Sequence, residues 1–154
     1  MIRFARLEDL EQINLIRKEV NDLHSKHVSK VFKPGFSKEL QEYATNYINS
    51  DDKFLLVYEE NNLISSYAMV NIVVKPETPY RYILKYLEIQ EIGTLQTQQG
   101  KGFGKQLIQK IKELAKELGL ERIELNMWTF NEKALKFYEN LGFKTYRRYL
   151  EFYC

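Results

Sequence analysis

Three of the seven glycines fall within five residues, in Gln99-Gly100-Lys101-Gly102-Phe103-Gly104-Lys105. A β-forming run ends just before this cluster and a helical period begins just after it. A glycine turn from strand to helix presents free backbone N–H groups beside the positive end of a helix dipole, which is a site for phosphate. Two common phosphate motifs fail here. Counted from Gly100, the dinucleotide pattern Gly-x-Gly-x-x-Gly meets Lys105 where its third glycine belongs. The Walker pattern needs four residues between its glycines and a hydroxyl after the lysine, whereas three intervene and Gln106 follows Lys105. Carboxylates stand nearby at Glu88 and Glu91, with Gln90 between them, and Tyr138 and Asn131 lie downstream. The only histidines are His24 and His27, and the one cysteine is the terminal Cys154. This excludes an intramolecular disulfide framework and a cysteine-cluster zinc site, and no metal site is expected.

The elements that must carry these residues are legible from periodicity. Met1–Leu7 reads as a short strand, and Glu8–Asp9 opens a helix with Leu10, Ile13, Ile16, Arg17 and Val20 on one stripe. His24–Phe36, with Pro34-Gly35, reads as a loop. Ser37 caps a second helix expected to run to about Ser50. Lys53–Glu59 and Leu63–Val74 form a hairpin about Asn61-Asn62, and Tyr80–Leu95 is a long β run. A helix over Gly102–Leu118 ends at Gly119, followed by a strand over Arg122–Trp128, a helix over Asn131–Leu141 and a last strand over Phe143–Tyr153. The order β-α-α-β-β-β-α-β-α-β predicts a mixed α/β sheet, antiparallel first and parallel where β-α units follow.

Two spacings together identify a resemblance. Gln99, Gly102 and Gly104 form Gln-x-x-Gly-x-Gly, and Ile92-Gly93-Thr94-Leu95 precedes it at a strand end. Downstream stands Asn131-x-x-Ala134-x-x-x-Tyr138-x-x-x-Gly142-Phe143, with Leu141 also in place. Over about Leu63–Lys144 the chain resembles the GNAT superfamily of acyl-CoA-dependent N-acyltransferases. The resemblance implies a mostly antiparallel mixed sheet, flanked by helices and splayed between its fourth and fifth strands, as one domain over 1–154. It also implies acetyl-CoA as co-substrate and transfer of the acetyl group to an amine of a small molecule or peptide.

By that resemblance, the backbone of Ile92, Gly93 and Thr94 pairs with the pantetheine arm, and donors near Thr94 and Leu95 face the developing oxyanion. Gln99 and the amides of Gly100, Lys101, Gly102, Phe103, Gly104 and Lys105 hold the pyrophosphate, with the two lysines adding positive charge. Gln99 replaces a more frequent Arg, Thr94 the usual Val, and Gln96 a frequent Pro. None of these removes a backbone donor from the expected cofactor contacts. Asn131 bonds the pantetheine or caps its helix. Tyr138 falls at the general-acid position and would protonate the leaving thiolate.

The base is open between two carboxylates. Strand alternation puts Glu88 and Gln90 on one face with Ile92 and Thr94, and Glu91 on the other. Family members carry a base where Glu88, Gln90 or Asn126 falls, and the last two are amides here. Glu88 is therefore the first expectation, and Glu91 the second if a β-bulge near Gly93 shifts the alternation. His24, His27 and Trp128 are expected at the acceptor, the first two from the loop that sets acceptor choice in the family. A catalytically silent CoA-binding domain is the alternative reading.

Composition narrows the rest. Of 154 residues, 23 are Lys or Arg and 21 Asp or Glu, so the net charge of +2 gives no expectation of a nucleic-acid partner. The longest apolar runs, such as Phe54–Tyr58, cover about a quarter of a membrane span, and no leader is read at Met1. No membrane partner and a cytoplasmic location are expected. Aromatics make up 14% of the chain, which suits a dense β-containing core. The last strand holds no residue suited to a tight turn between Phe143 and Cys154, so one long strand is expected there. Its open edge would pair with a second copy as a homodimer.

Overall fold

Asn61 and Asn62 sit at φ 53° and 62°, both in the left-handed region that a two-residue hairpin turn requires and that Asn tolerates. In the computed structural model, which describes residues 1–154, they join β2 (Lys53–Glu60) to β3 (Leu63–Lys75). The other strands are β1 (Ile2–Phe4), β4 (Leu84–Thr94) and β5 (Ile123–Leu125). The helices are α1 (Leu10–His27), α2 (Lys38–Tyr43), α3 (Phe103–Glu117) and α4 (Glu132–Asn140). Spatial order follows chain order from β1 to β5. The first four strands are antiparallel, while β4 and β5 are parallel and need α3 as their crossover.

Both faces of the sheet are covered, which explains the unbroken apolar runs of β2 and β3. On one face Leu107, Ile108, Ile111 and Leu114 of α3 pack on Leu56, Ala68, Val70, Leu87 and Ile89. On the other, Ile13 and Ile16 of α1 pack on Leu55, Val57, Tyr67 and Met69, with Ala44 and Tyr47 closing the layer. Gly93 permits the close approach of α1 to β4. A Cβ there would stand 2.8 Å from Val20 Cγ2 and 2.9 Å from Tyr67 Cε1.

The sheet opens where β4 outlasts its neighbour. β5 pairs only with Leu87–Ile89, and β4 runs on to Thr94 without it. The register skips Gln90: Val70 faces Ile89 and Met69 faces Glu91. This bulge bends β4 immediately beyond the last β5 contact. The sheet is therefore mixed, mostly antiparallel and splayed between its fourth and fifth strands.

Several boundaries differ from the sequence reading. The expected loop from His24 begins later, because α1 continues through His27. Its last turn carries His24, Lys26 and His27, a favourable basic end for the helix dipole. The Ser37 cap forms, with its hydroxyl accepting from the Leu40 amide at 3.2 Å, but α2 ends at Tyr43 and tightens into a 3₁₀ turn over Ala44–Tyr47. The turn carries Ala44 and Tyr47 into the core.

The largest correction is the C-terminus. Phe143–Tyr153 is not a strand of the sheet. β5 is paired on its β4 side alone, at Ile123–Leu125. The segment docks instead through Tyr146, whose hydroxyl donates to Glu124 at 2.8 Å and whose ring lies under Arg122 at 4.7 Å. The strand on which the expected dimer would be built is thus absent from this chain's sheet. No helix is long and apolar enough to cross a membrane.

Candidate active site

The splay leaves one edge of β4 with unused backbone groups. The Leu95 amide donates to the Ser65 carbonyl at 2.9 Å, so Leu95 and its alternate Gly93 turn their groups toward β3. In an antiparallel ladder the intervening residues point the other way. The amides of Ile92 and Thr94 therefore face the gap beside β5. The side chain of Gln99 reaches the Thr94 carbonyl from that gap, at 3.4 Å. This corrects two expectations: Gly93 does not present its amide there, and Leu95 is not a free oxyanion donor.

The glycine loop supplies a second set of free donors. No backbone amide from Gly100 to Lys105 donates a hydrogen bond within the chain; the first α3 bond runs from Gln106 to the Gly102 carbonyl. Gly100 and Gly102 lie at φ 80° and 82°, and Gly102 is the N-cap residue just before α3. Such a run of unpaired amides at a helix N-terminus suits an anion. Gly104 serves packing, since a Cβ there would stand 3.3 Å from the Phe137 ring.

Between these backbone donors lies a cleft of about 860 Å³. Tyr138 lines it, nearly buried, and its hydroxyl has no hydrogen-bond partner; burial pushes its pKa up to about 12. The Asn131 side chain accepts from the Ala134 amide at 3.1 Å, so it caps α4 while lining the same cleft.

The two carboxylates differ sharply. Glu91 is held by Arg17, with Nε 2.9 Å from Oε2 and Nη2 3.2 Å from Oε1, and it accepts from the Tyr67 hydroxyl at 3.1 Å. Glu88 lines the cleft with no hydrogen bond or ion pair. The bulge at Gln90 also revises the alternation. Glu88 and Glu91 share the α1 face, while Ile92 packs on the α3 face and Thr94 approaches Gly104.

His24 enters the cleft wall, with Nδ1 2.8 Å from the Val20 carbonyl. A carbonyl only accepts, so Nδ1 carries a proton. His27 makes the same contact with Leu23 and stacks on Phe130 at 4.4 Å, away from the cleft lining.

The acetyltransferase (GNAT) family model matches residues 17–143. The chain belongs to that family. A 70-residue stretch is 29% identical to the uncharacterized N-acetyltransferase YycN of Bacillus subtilis (strain 168), covering 46% of this chain and 42% of that protein. That match thus spans less than half of either protein. Among solved structures, a mutant of the BH1408 protein from Bacillus halodurans superimposes with a TM-score of 0.95 at 23% identity, covering 100% of this chain and 99% of that one. AAC(6')-Iy, solved with a bisubstrate analogue of CoA and acetylneamine, gives 0.79 at 16% identity, over 100% and 97%. At these identities the likeness establishes the fold.

Within this GNAT cleft the expected residues gather, except Leu95, Lys101 and His27. Lys101 turns to Gln98 at 2.7 Å. Two charged lining residues, Arg17 and Lys133, were not among the expected site residues. Arg17 interrupts an otherwise apolar helical stripe, and a charge so placed requires a partner. Lys133 stands in the first turn of α4 beside Glu132, where nothing in the sequence alone marks it as facing the cleft.

Proposed function

We propose that this chain transfers an acetyl group from acetyl-CoA to a primary amine of a small molecule or peptide, by direct attack in a ternary complex. One observation carries the reading. The unpaired amides of Gly100 and Gly102–Lys105 and the unpaired β4 edge at Ile92 and Thr94 open onto one cleft with Glu88 and Tyr138. The loop amides and Lys105 suit the pyrophosphate, and the β4 edge suits an amide-bearing arm lying as an added strand.

An alkylammonium has a pKa of about 10.4, so at neutral pH a base must remove its proton. Glu88 is the unengaged carboxylate in position to take it. The freed nitrogen attacks the thioester carbonyl, and the amide of Ile92 or Thr94 faces the charge growing on that oxygen. The carbonyl re-forms as the C–S bond breaks, and Tyr138, held protonated by burial, gives its proton to the sulfur. The nitrogen's second proton passes through water to the tyrosinate, leaving the neutral amide and the phenol. Glu91 is engaged by Arg17 and Tyr67, so it shapes the wall and is not the base.

The test is thiol release from acetyl-CoA across an amine panel, beside calorimetric titration of CoA. Amine-dependent release supports transfer. Tight CoA binding with no release would favour a silent CoA-binding domain.

A further inference from the structure

Beneath α1 the cleft changes character. Its wall there is mostly apolar, Val20, Leu23, Phe32, Phe36 and Leu40 with Asn21 among them, and Trp128 also lines the cleft. Phe32 meets the Trp128 ring edge-on at 5.4 Å and the His24 ring at 5.5 Å, which joins α1, the segment after it and the segment after β5 into one aromatic wall. Arg17, Glu88 and Glu91 bring the permanent charges to this half. Arg17 and Glu91 neutralise each other, and the Arg17 Nη1 donates to the Asn14 side chain and the Leu40 carbonyl. Glu88 alone is uncompensated. Two lysines also line the cleft, Lys105 in the first turn of α3 and Lys133 in the first turn of α4.

We infer that the acceptor is a primary monoamine on an apolar body, an arylalkyl- or alkylamine, with its nitrogen at Glu88 and its body against Phe32, Phe36 and Trp128. This rests on the acetyl-transfer reading and adds the acceptor's class to it. One free carboxylate balances one ammonium. A polyamine or aminoglycoside brings several, and each further charge would be desolvated against an apolar wall without a counter-charge. An acidic amine finds the cation of the α1 wall, Arg17, already paired with Glu91. An aryl ring instead gains edge or stacked contacts with the aromatic wall.

The experiment is calorimetric titration of the full chain, saturated with CoA, using phenethylamine, ethylamine and spermidine. Phenethylamine is expected to bind roughly tenfold or more tighter than either competitor, the scale of burying one ring. Phe32→Ala, in a half-buried loop position, is expected to narrow the phenethylamine-over-ethylamine ratio, and Glu88→Gln to weaken both. Spermidine binding as tightly as phenethylamine, a ratio untouched by Phe32→Ala, or no amine binding at all would each overturn the inference. Phenethylamine binding without thiol release would overturn acetyl transfer and leave the monoamine site standing.

Discussion

Arg17 and Glu91 meet side-on in the cleft wall, Nε and Nη2 against the two carboxylate oxygens, with Arg17 only 3% exposed. The pair ties α1 to the bulged stretch of β4 and leaves Glu88 as the one free carboxylate of that wall. Arg17→Met removes one partner and strands the other. The expected cost is about 3 kcal/mol of stability, read by urea denaturation. A loss under about 0.5 kcal/mol would show that the pair does not hold β4.

Glu88 predicts the opposite pattern. Glu88→Gln breaks no hydrogen bond, so its stability should stay within about 0.5 kcal/mol of the parent. Amine-dependent thiol release should fall roughly a hundredfold or more, the usual contribution of a positioned base. Full activity in this variant would remove Glu88 from the mechanism.

Gly102 separates backbone strain from charge. Gly102→Ala keeps the loop's charge but forces a side chain to φ 82°, at roughly 1–2 kcal/mol. Gly102→Asp adds a negative charge among the unpaired amides. Calorimetry should show CoA affinity reduced at least roughly a hundredfold beyond the Ala variant, the scale of a like charge at contact distance. Equal affinities in the two variants would place the pyrophosphate elsewhere.

Tyr138 yields a pH signature. Burial raises its pKa to about 12, so between about pH 10 and 12 the folded chain keeps a proton that the unfolded chain releases. Its stabilising contribution is whole below about pH 10 and is lost as pH climbs to about 12, by roughly 2–3 kcal/mol. Tyr138→Phe should flatten that part of the alkaline decline. Tyr67, also raised by burial, keeps its own share of the decline in the variant. The same change should lower kcat by at least about tenfold. An unchanged alkaline profile together with unchanged kcat would make Tyr138 a packing residue only.

The parts legible in the sequence are those fixed by local chemistry. The glycine loop, the Asn61-Asn62 turn and the Asn131 cap each depend on residue types at adjacent positions. Glu88 and Glu91 show the limit. Strict alternation separates them, with a bulge expected only near Gly93; the bulge falls at Gln90 because of pairing with β3, which the β4 sequence does not contain. The hydrogen-bonding direction of Leu95 depends on the same register. The C-terminal segment fails for a related reason: Tyr146, Tyr149, Phe152 and Tyr153 have strand propensity, but propensity does not decide pairing, and β5 is paired on its β4 side alone. Arg17 was visible as a charge in an apolar stripe, while its partner lay 74 positions away.

The most direct test of acetyl transfer is mass spectrometry of the amine after a single turnover, with acetyl-CoA and the full chain mixed at equal concentration. The account predicts the acetyl group on the amine nitrogen, in step with free CoA, and its loss in Glu88→Gln. Acetyl-CoA recovered intact with every amine, from protein that binds it tightly, would contradict the account.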